Sequence, residues 1–247
     1  MRKYTDEELT YRLWDKEEIK NTMSRHSYYL ANDDRERELR ELWVAKPEHQ
    51  ADAILGYNNG YYKGIASIRK HYVDDAMALR LEALKPYLEA GQDVSAGHGF
   101  MSIHTVNTPL IELAEDGRTA KYLGYDCGLY CVGKPDGDSD SYFIFGRVYA
   151  DLVNEDGTFK LWHLLMTYDH VIPAGRDYGE VPPQAPWGSD LVEQACGTPD
   201  IPDVVYDGFY GWVDMWERLP RPYESYDPKT SYGPDGKPKC YQIGLYK

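Results

Sequence analysis

The sequence predicts an α+β protein in which a group of N-terminal helices precedes a bent antiparallel sheet. Two near-copies of one turn signal, EDGRTAK at 115–121 and NEDGTFK at 154–160, place an Asp-Gly pair between residues typical of strands. Asp-Gly is the strongest short-range hairpin signal, because both central residues of a type I′ turn need positive φ. Before residue 90, apolar residues recur instead at helical spacing.

The helical part divides into three segments. Thr5 and Glu8 predict a capping box at the start of the first helix. The predicted buried stripe of this helix consists of Ile19, Met23, His26 and Leu30. A short second helix follows a break at 32–34, and a long third helix runs from Gly64 to about Glu89. Strands are predicted at 51–57, 98–114, 118–132, 141–154 and 158–171.

The second hairpin assigns side chains to faces, because a two-residue loop fixes the register of the strands that it joins. With Asp156 and Gly157 as the loop, Leu152 opposes Leu161 and Ala150 opposes His163. One face then carries His163, Thr167 and Tyr142 among apolar residues. Two interpretations of His163 remain open: a core histidine bonded to a neighbour, or an imidazole that faces a pocket.

The first hairpin leaves two alternatives for its inner face. With Asp116 and Gly117 as the loop and a regular ladder, Asn107 and Asp126 point inward and His104 points outward. Pro109 cannot donate to the ladder and is typical of a β-bulge, which would reverse the parity beyond it. The bulge would bring in His104 and Tyr125 instead of Asn107 and Asp126.

Composition limits the classes of function. The 247 residues could form one large domain or one and a half, and 42% apolar residues are enough for a real core. The chain has no run of 18 apolar residues, so we expect a soluble cytoplasmic protein that does not enter membranes. The net charge of −14 argues against nucleic acid as a partner. The 23 tyrosines and 6 tryptophans favour an aromatic ligand or an extensive subunit interface.

The composition changes after Pro173. Residues 1–172 are predicted to form the α+β domain, and 173–247 form an extension rich in proline, glycine and tyrosine. This extension is too aromatic for a disordered tail, and we expect it to pack on the domain or on a second subunit. Only WVDMWERL at 212–219 has the pattern of a short helix.

Several segments together resemble the NTF2-like superfamily, in its SnoaL-like branch. They are YYLANDDRERELRELW at 28–43, GYYKGIASIRKHY at 60–72 and the two Asp-Gly hairpins, and the resemblance covers roughly residues 15–170. It implies a conical barrel whose strongly bent sheet wraps around a long helix, with two further helices before it and an apolar pocket open at one end. It also implies a homodimer that forms through the outer face of the sheet.

The resemblance also implies where the pocket residues lie. Carried onto this chain, the catalytic candidates are His163, His26, His104 and Asp126. The substrate-binding candidates are Tyr29, Tyr57, Asn58, Tyr61, Asn107, Tyr142 and Thr167. Members similar to ketosteroid isomerase have a carboxylate base after the first strand, whereas this chain has Tyr57 and Asn58 there. No metal-ligand spacing occurs in the sequence, and no metal or cofactor is expected.

These residues suit acid/base catalysis without a cofactor. A histidine takes up and returns a proton near neutral pH, and a tyrosine donates to a developing oxyanion. The hypothesis is proton abstraction or elimination on a small aromatic molecule by a lyase, dehydratase or isomerase. Similar family members include dehydratases of phenolic polyketides and lyases that remove formaldehyde from lignin-derived diarylpropanes. The alternative is a non-catalytic small-molecule binder or a partner subunit.

Overall fold

A computed structural model of the chain describes residues 3–93, 100–133, 139–176, 197–203 and 219–236. The helical elements are α1 (Asp6–Ala31), α2 (Arg35–Leu42), α3 (Pro47–Gln50), α4 (Ile65–Ile68), a π-helix (Arg69–Asp75) and α5 (Ala76–Glu89). The strands are β1 (Ile54–Tyr57), β2 (Gly60–Lys63), β3 (Phe100–Leu113), β4 (Thr119–Gly133), β5 (Ser139–Glu155), β6 (Thr158–Pro173) and β7 (Ile201–Pro202). Within these ranges, no helix combines the length and apolar character needed to cross a membrane.

Helix α1 begins at the predicted capping box. The Thr5 hydroxyl accepts from the Glu8 amide at 3.2 Å, and the Glu8 carboxylate accepts from the Thr5 amide at 2.8 Å. Both orphan groups of the first turn are therefore satisfied, which stabilises this end of the helix. The predicted stripe of Ile19, Met23, His26 and Leu30 is buried. The guanidinium of Arg12 donates to the carbonyls of Leu113 and Ala114, which fixes α1 against the end of β3.

The predicted long third helix is interrupted by the seven-residue π-helix. Two consecutive residues, His71 and Tyr72, are both buried there. His71 packs on the Tyr62 ring, and the Tyr72 hydroxyl donates to Glu38 at 2.6 Å. Neighbouring residues of a regular α-helix point about 100° apart. The chain forms a wider π turn at this point, and both neighbouring side chains are buried in it.

The sheet has the strand order β3-β4-β5-β6-β1-β2-β7. The first four strands form the predicted antiparallel meander, and β1 joins β6 in parallel. A Cβ on Gly146 would collide with the Thr167 carbonyl of the adjacent strand. Glycine at this position therefore permits the close approach of backbones where the sheet bends. The predicted α+β architecture, with N-terminal helices and a bent sheet, is confirmed.

The second hairpin confirms the predicted register near its turn. Asp156 and Gly157 have φ of 54° and 89°, as a type I′ turn requires, and Leu152 opposes Leu161. Beyond this pair the prediction is wrong, because Asp151 rather than Ala150 opposes His163. Trp162 is an extra residue in β6, and this bulge turns the strand over as far as Tyr168, where a second extra residue, Asp169, turns it back. His163 therefore does not share a face with Ala150.

The first hairpin contains the bulge that Pro109 suggested. The pairs Glu112 with Lys121 and Leu110 with Leu123 follow the predicted register, and Asn107 then opposes Tyr125. The extra residue of the bulge is in β3 alone. Side chains of β4 therefore keep the predicted alternation between the two faces of the sheet. His104 is turned inward while Asp126 stays inward. The two predicted inner sets, Asn107 with Asp126 and His104 with Tyr125, were therefore not true alternatives. One residue of each set, His104 and Asp126, points inward, and Asn107 and Tyr125 point outward.

The apolar core occupies the concave side of the sheet. Residues from α1, α2 and the inner faces of β3 to β6 form one cluster that includes Met23, Trp43, Ile111, Tyr122 and Leu164. A smaller cluster on the convex side contains Ile54, Tyr61, Leu123, Tyr149, Leu165 and Tyr232. The sheet is therefore buried on both faces over part of its area.

Residues 219–236, which we call the strap, lie on the convex face. The amides of Glu115 and Asp116 donate to the carbonyls of Tyr223 and Glu224, and the Tyr149 and Tyr232 rings lie 5.1 Å apart. The strap contains two short 3₁₀ turns, Pro228–Thr230 and Pro234–Gly236. The helix expected at 212–219 lies, apart from its last residue, outside the described residues.

Asn58 joins β1 to β6 near the bend. Its amide nitrogen donates to the Tyr168 carbonyl at 2.9 Å, and its amide oxygen accepts from the Tyr168 amide at 2.8 Å. Replacement of Asn58 by alanine would leave both buried backbone groups without these bonds. We expect a loss of about 2 kcal/mol in the free energy of unfolding, measured by urea denaturation. Asn59→Ala is the control, and an equal loss in both variants would contradict the argument.

Candidate functional site

The concave face carries one pair of ionisable side chains on neighbouring strands. His104 Nδ1 lies 2.9 Å from Asp126 Oδ2, with the imidazole 8% exposed and the carboxylate buried. An ionised carboxylate only accepts hydrogen bonds, so Nδ1 carries the proton and donates it. Nε2 then carries the lone pair. The pair thus holds an imidazole in the tautomer that can accept a proton.

Tyr122 extends toward this pair across Gly124. The three residues Tyr122, Gly124 and Asp126 alternate along the inner face of β4. A Cβ on Gly124 would lie 2.8 Å from the Tyr122 hydroxyl, so the phenol occupies the space that a side chain at 124 would fill. Burial raises the pKa of Tyr122, which keeps its hydroxyl protonated at neutral pH. Sequence reasoning missed Tyr122, although a glycine between it and Asp126 was a usable signal.

Aromatic side chains continue the same face. Asp126 opposes Gly146 on β5, and Gly146 opposes Tyr168 on β6. The Tyr168 ring stacks on Tyr57 with centroids 6.4 Å apart. Farther along the sheet, the predicted binding residue Tyr142 lies opposite Tyr130, also with ring centroids 6.4 Å apart. The His104 and Asp126 pair therefore shares its face of the sheet with two pairs of aromatic rings.

His26 belongs to a second, fully buried cluster. Glu38 accepts from His26 Nδ1 at 2.8 Å, from Trp43 Nε1 at 3.3 Å and from the Tyr72 hydroxyl at 2.6 Å. His26 and Glu38 are both 0% exposed. The carboxylate therefore ties α1, α2 and the π-helix together. Its three donors satisfy a buried charge that would otherwise be costly.

The position of α1 relates this cluster to the first pair. Arg12 is fixed at the Leu113 end of β3, and His26 lies about 21 Å farther along the helix at 1.5 Å per residue. Because α1 packs along β3 and His26 belongs to its buried stripe, His26 and His104 lie on the same side of the sheet.

His163 lies on the convex face, as a result of the Trp162 bulge. Its Nδ1 is 2.9 Å from Asp151 Oδ2, and the other oxygen of Asp151 accepts from Lys121 Nζ at 2.7 Å. The strap covers this cluster, and the Ser231 hydroxyl lies 2.9 Å from both Asp151 Oδ2 and His163 Nδ1. Serine and aspartate meet the same imidazole nitrogen, so the group lacks the arrangement of a nucleophilic triad.

The charges of this cluster are balanced by direct contacts. Burial alone would raise the pKa of Asp151, but the Lys121 charge and the hydrogen bonds from His163 and Lys121 outweigh burial and lower it. The backbone amide of Tyr232 donates to the same carboxylate at 2.7 Å. Asp151 therefore stays ionised while buried under the strap. The placement of His163 differs from the predicted pocket position.

The remaining predicted binding residues do not gather around His104. The Tyr29 hydroxyl donates to Glu41, and Asn58 uses its amide group on the Tyr168 backbone. Tyr61 belongs to the convex cluster, and Asn107 is exposed. Thr167 is buried opposite Arg147 on the convex side, because the bulge in β6 carries it over with His163. Among the predicted residues, the structure brings together His104, Asp126, Tyr57 and Tyr142 on the concave face.

Metal-ligand clusters were sought among the same side chains. In the parts of the chain that the structure describes, no group of three or more histidine, cysteine, aspartate or glutamate residues could hold a metal ion. Five of the six described histidines pair with a carboxylate through Nδ1, as His49 does with Glu155 at 2.7 Å and His71 with Asp75 at 2.9 Å. Cys127 and Cys131 are free thiols.

Known structures of low sequence identity resemble this chain. A protein of unknown function from Mycobacterium tuberculosis is 12% identical, with a TM-score of 0.48 over 79% of this chain and 95% of its own. A scytalone dehydratase-like protein from Novosphingobium aromaticivorans is 17% identical, with a TM-score of 0.46 over 68% and 99%. A hexachlorocyclohexane dehydrochlorinase from Novosphingobium barchaimii is 18% identical, with a TM-score of 0.44 over 70% and 99%.

Sequence comparison with families is more decisive. A search of curated proteins found no match. The family model of the SnoaL-like domain matches residues 11–164, which include α1, the helices that follow it and the sheet as far as the first half of β6. This match spans more than half of the chain. The protein therefore belongs to the SnoaL-like domain family.

Proposed function

We propose that the protein is a cofactor-independent acid/base enzyme of the lyase or dehydratase type that acts on a small aromatic or phenolic molecule. The observation that carries the proposal is the 2.9 Å contact between His104 Nδ1 and Asp126 on the concave face. Asp126 fixes the imidazole and stabilises the imidazolium that forms when Nε2 takes a proton. The Tyr122 phenol over Gly124 and the aromatic side chains described above lie on the same face as this pair.

The chemistry proposed is an elimination. His104 Nε2 removes a proton from the carbon next to a carbonyl or aromatic group, and the electrons of that C–H bond form a new double bond. The bond to the leaving group breaks with its electron pair, and a hydroxyl group leaves as water after it takes a proton from solvent. The Tyr122 hydroxyl donates a hydrogen bond to the oxygen that gains charge. The imidazolium then returns its proton to solvent.

Aromatic walls support an aromatic substrate. Tyr57, Tyr168, Tyr130 and Tyr142 lie on the concave face beside or beyond the pair. Phenol rings offer apolar area together with a hydroxyl at the rim, which suits a planar ligand that carries oxygen substituents. These contacts favour a phenolic ketone or a lignin-derived diarylpropane over an aliphatic substrate.

The test is turnover of a compound panel by the wild-type chain and by His104→Gln. The panel contains phenolic β-hydroxy ketones, followed by the absorbance of the new double bond, and diarylpropane diols, followed by released formaldehyde. With a diol, the base takes the proton of the terminal hydroxyl group, the C–C bond to that carbon breaks to release formaldehyde, its electrons form the double bond and the benzylic hydroxyl group leaves as water. We expect His104→Gln to lower kcat/KM about 100-fold, because glutamine cannot accept the proton. His49→Gln removes an imidazole from another carboxylate pair and is expected to keep turnover.

Two outcomes would contradict the proposal. Binding of panel compounds without any turnover by the wild-type chain would instead indicate a non-catalytic binding protein. Full turnover by His104→Gln would move the base to another residue. His163→Gln tests the predicted catalytic histidine on the convex face. We expect this variant to be less stable, because His163 lies beneath the strap, and to keep its activity.

A further inference from the structure

A pocket lies on the convex face, on the opposite side of the sheet from His104. Its volume is about 250 Å³. It is lined by Thr108, Leu110, Leu123, Gly124, Tyr125, Arg147 and Leu219. We call it the bulge pocket, because the irregular part of β3 forms one wall. The family resemblance gave no reason to expect a pocket on this face.

The pocket exists because two irregular features meet over β4. In the bulge, Thr108 and Pro109 of β3 lie opposite the single residue Gly124 of β4, between the pairs that contain Asn107 and Leu110. Thr108 has φ of 50°, which is unfavourable for a β-branched residue and shows how sharply the strand departs from the ladder. The strap supplies the opposite wall through Leu219. A regular β3 or the absence of the strap would leave a flat surface.

The lining has an apolar body and one cation. Three leucines form walls, and Tyr125 stands at the rim with 47% of its surface exposed. Arg147 is only 6% exposed, and its Nη2 lies 3.1 Å from Asp169 Oδ2, which anchors the guanidinium in the wall. A guanidinium can bind carboxylates with several N–H donors in one plane. Apolar surroundings strengthen such a contact.

We propose that the bulge pocket binds a small aromatic carboxylate, with the ring among Leu110, Leu123 and Leu219 and the carboxylate on Arg147. An apolar cavity of about 150 Å³ holds benzene. The larger bulge pocket therefore has room for a ring and one acidic group. Beside its contact with Asp169, the guanidinium of Arg147 supplies the hydrogen-bond donors for the acidic group, and the leucine walls select a ring over a small ion. This inference does not depend on the activity proposed for the concave face.

The test uses benzoate as the probe, with calorimetric titration of the full chain. Benzyl alcohol tests the need for charge, and acetate tests the need for a ring. We expect benzoate to bind about tenfold more tightly than either compound. Leu219→Trp should fill the pocket and weaken benzoate binding about tenfold, while leaving Arg147 and Asp169 intact. Leu9→Trp, at an exposed position on α1, is the control and should bind benzoate as the wild type does.

Other results would overturn the inference. Equal binding of benzyl alcohol and benzoate would exclude a role for Arg147. Unchanged benzoate binding by Leu219→Trp would place the ligand elsewhere, and so would loss of binding in His104→Gln, whose change is on the concave face. Because His104→Gln is expected to lose turnover but keep benzoate binding, the two proposals can fail separately.

Discussion

Asp151→Asn is expected to destabilise the protein by about 4 kcal/mol at pH 7, because a buried ion pair loses one partner. Asp151 accepts from Lys121, His163, Ser231 and the Tyr232 amide. Asparagine would turn one acceptor oxygen into an NH₂ group that faces donors, and Lys121 would keep its buried charge. The measurement is urea denaturation followed by far-ultraviolet circular dichroism.

The pH dependence adds a second check on Asp151. Its pKa is lower in the folded protein than in the unfolded chain, where an aspartate has a pKa of about 3.9. The stability that it contributes is therefore present above about pH 4 and is lost as the pH falls through the lower folded value. The difference between wild type and Asp151→Asn should shrink below about pH 4.

Asp156→Asn is the matched control for this experiment. Asp156 is exposed, pairs with Lys46 at 2.7 Å and has positive φ in a type I′ turn, where asparagine is also favoured. We expect a change within about 0.5 kcal/mol. A loss of less than about 1 kcal/mol in Asp151→Asn would show that the strap cluster does not stabilise the fold.

Glu38→Ala is expected to have an effect of similar size, about 4 kcal/mol, because three buried donors lose their acceptor at once. His26, Trp43 and Tyr72 all donate to this carboxylate. Glu38→Gln should cost less, about 1 to 2 kcal/mol, because its amide oxygen can still accept from His26 and Trp43. The order of the two variants tests the hydrogen bonds separately from the loss of side-chain volume.

The control for Glu38 lies two residues earlier on the same helix. Glu36 is exposed and pairs with Arg69, so Glu36→Ala should change the free energy of unfolding by no more than about 0.5 kcal/mol. Chemical denaturation of the three variants at pH 7 makes the comparison. Equal stabilities of Glu38→Ala and Glu38→Gln would contradict a role for the hydrogen bonds.

Local signals predicted the elements well where the cause was itself local. The capping box at Thr5 depends on residues three apart, and the turn at Asp156 and Gly157 depends on two adjacent residues. Such short-range causes can be read directly from a sequence. The bulge near Thr108 was also within reach, because Pro109 removes a ladder donor.

No comparable signal in the sequence marks the bulge at Trp162. The predicted faces of His163 and Thr167 were both wrong for this reason. Tryptophan fits a regular strand, so nothing in the sequence marks it as the extra residue. The Trp162 and His163 rings stack with centroids 4.4 Å apart, and the strap lies against them through Tyr226. The bulge accompanies packing against residues some sixty positions away, which single-sequence reasoning does not reveal.

The candidate site was only partly predictable for a similar reason. His104 and Asp126 were both identified, but as members of competing sets, since the effect of the bulge on each strand had to be followed separately. The pairing of His26 with Glu38 requires the packing angle of α1 on α2, which residue spacing does not supply. Tyr122 became a candidate only when its hydroxyl was found over Gly124.

The strap has a practical consequence for fragments of this protein. The region that matches the family ends at Leu164, in the middle of β6, and a cut after Pro173 would retain β1 to β6. Such a fragment would expose Lys121, Asp151 and His163 to water and lose the bonds from Ser231 and Tyr232. We therefore expect truncated versions to aggregate during expression, and we expect the shortest well-behaved version to extend at least to residue 236.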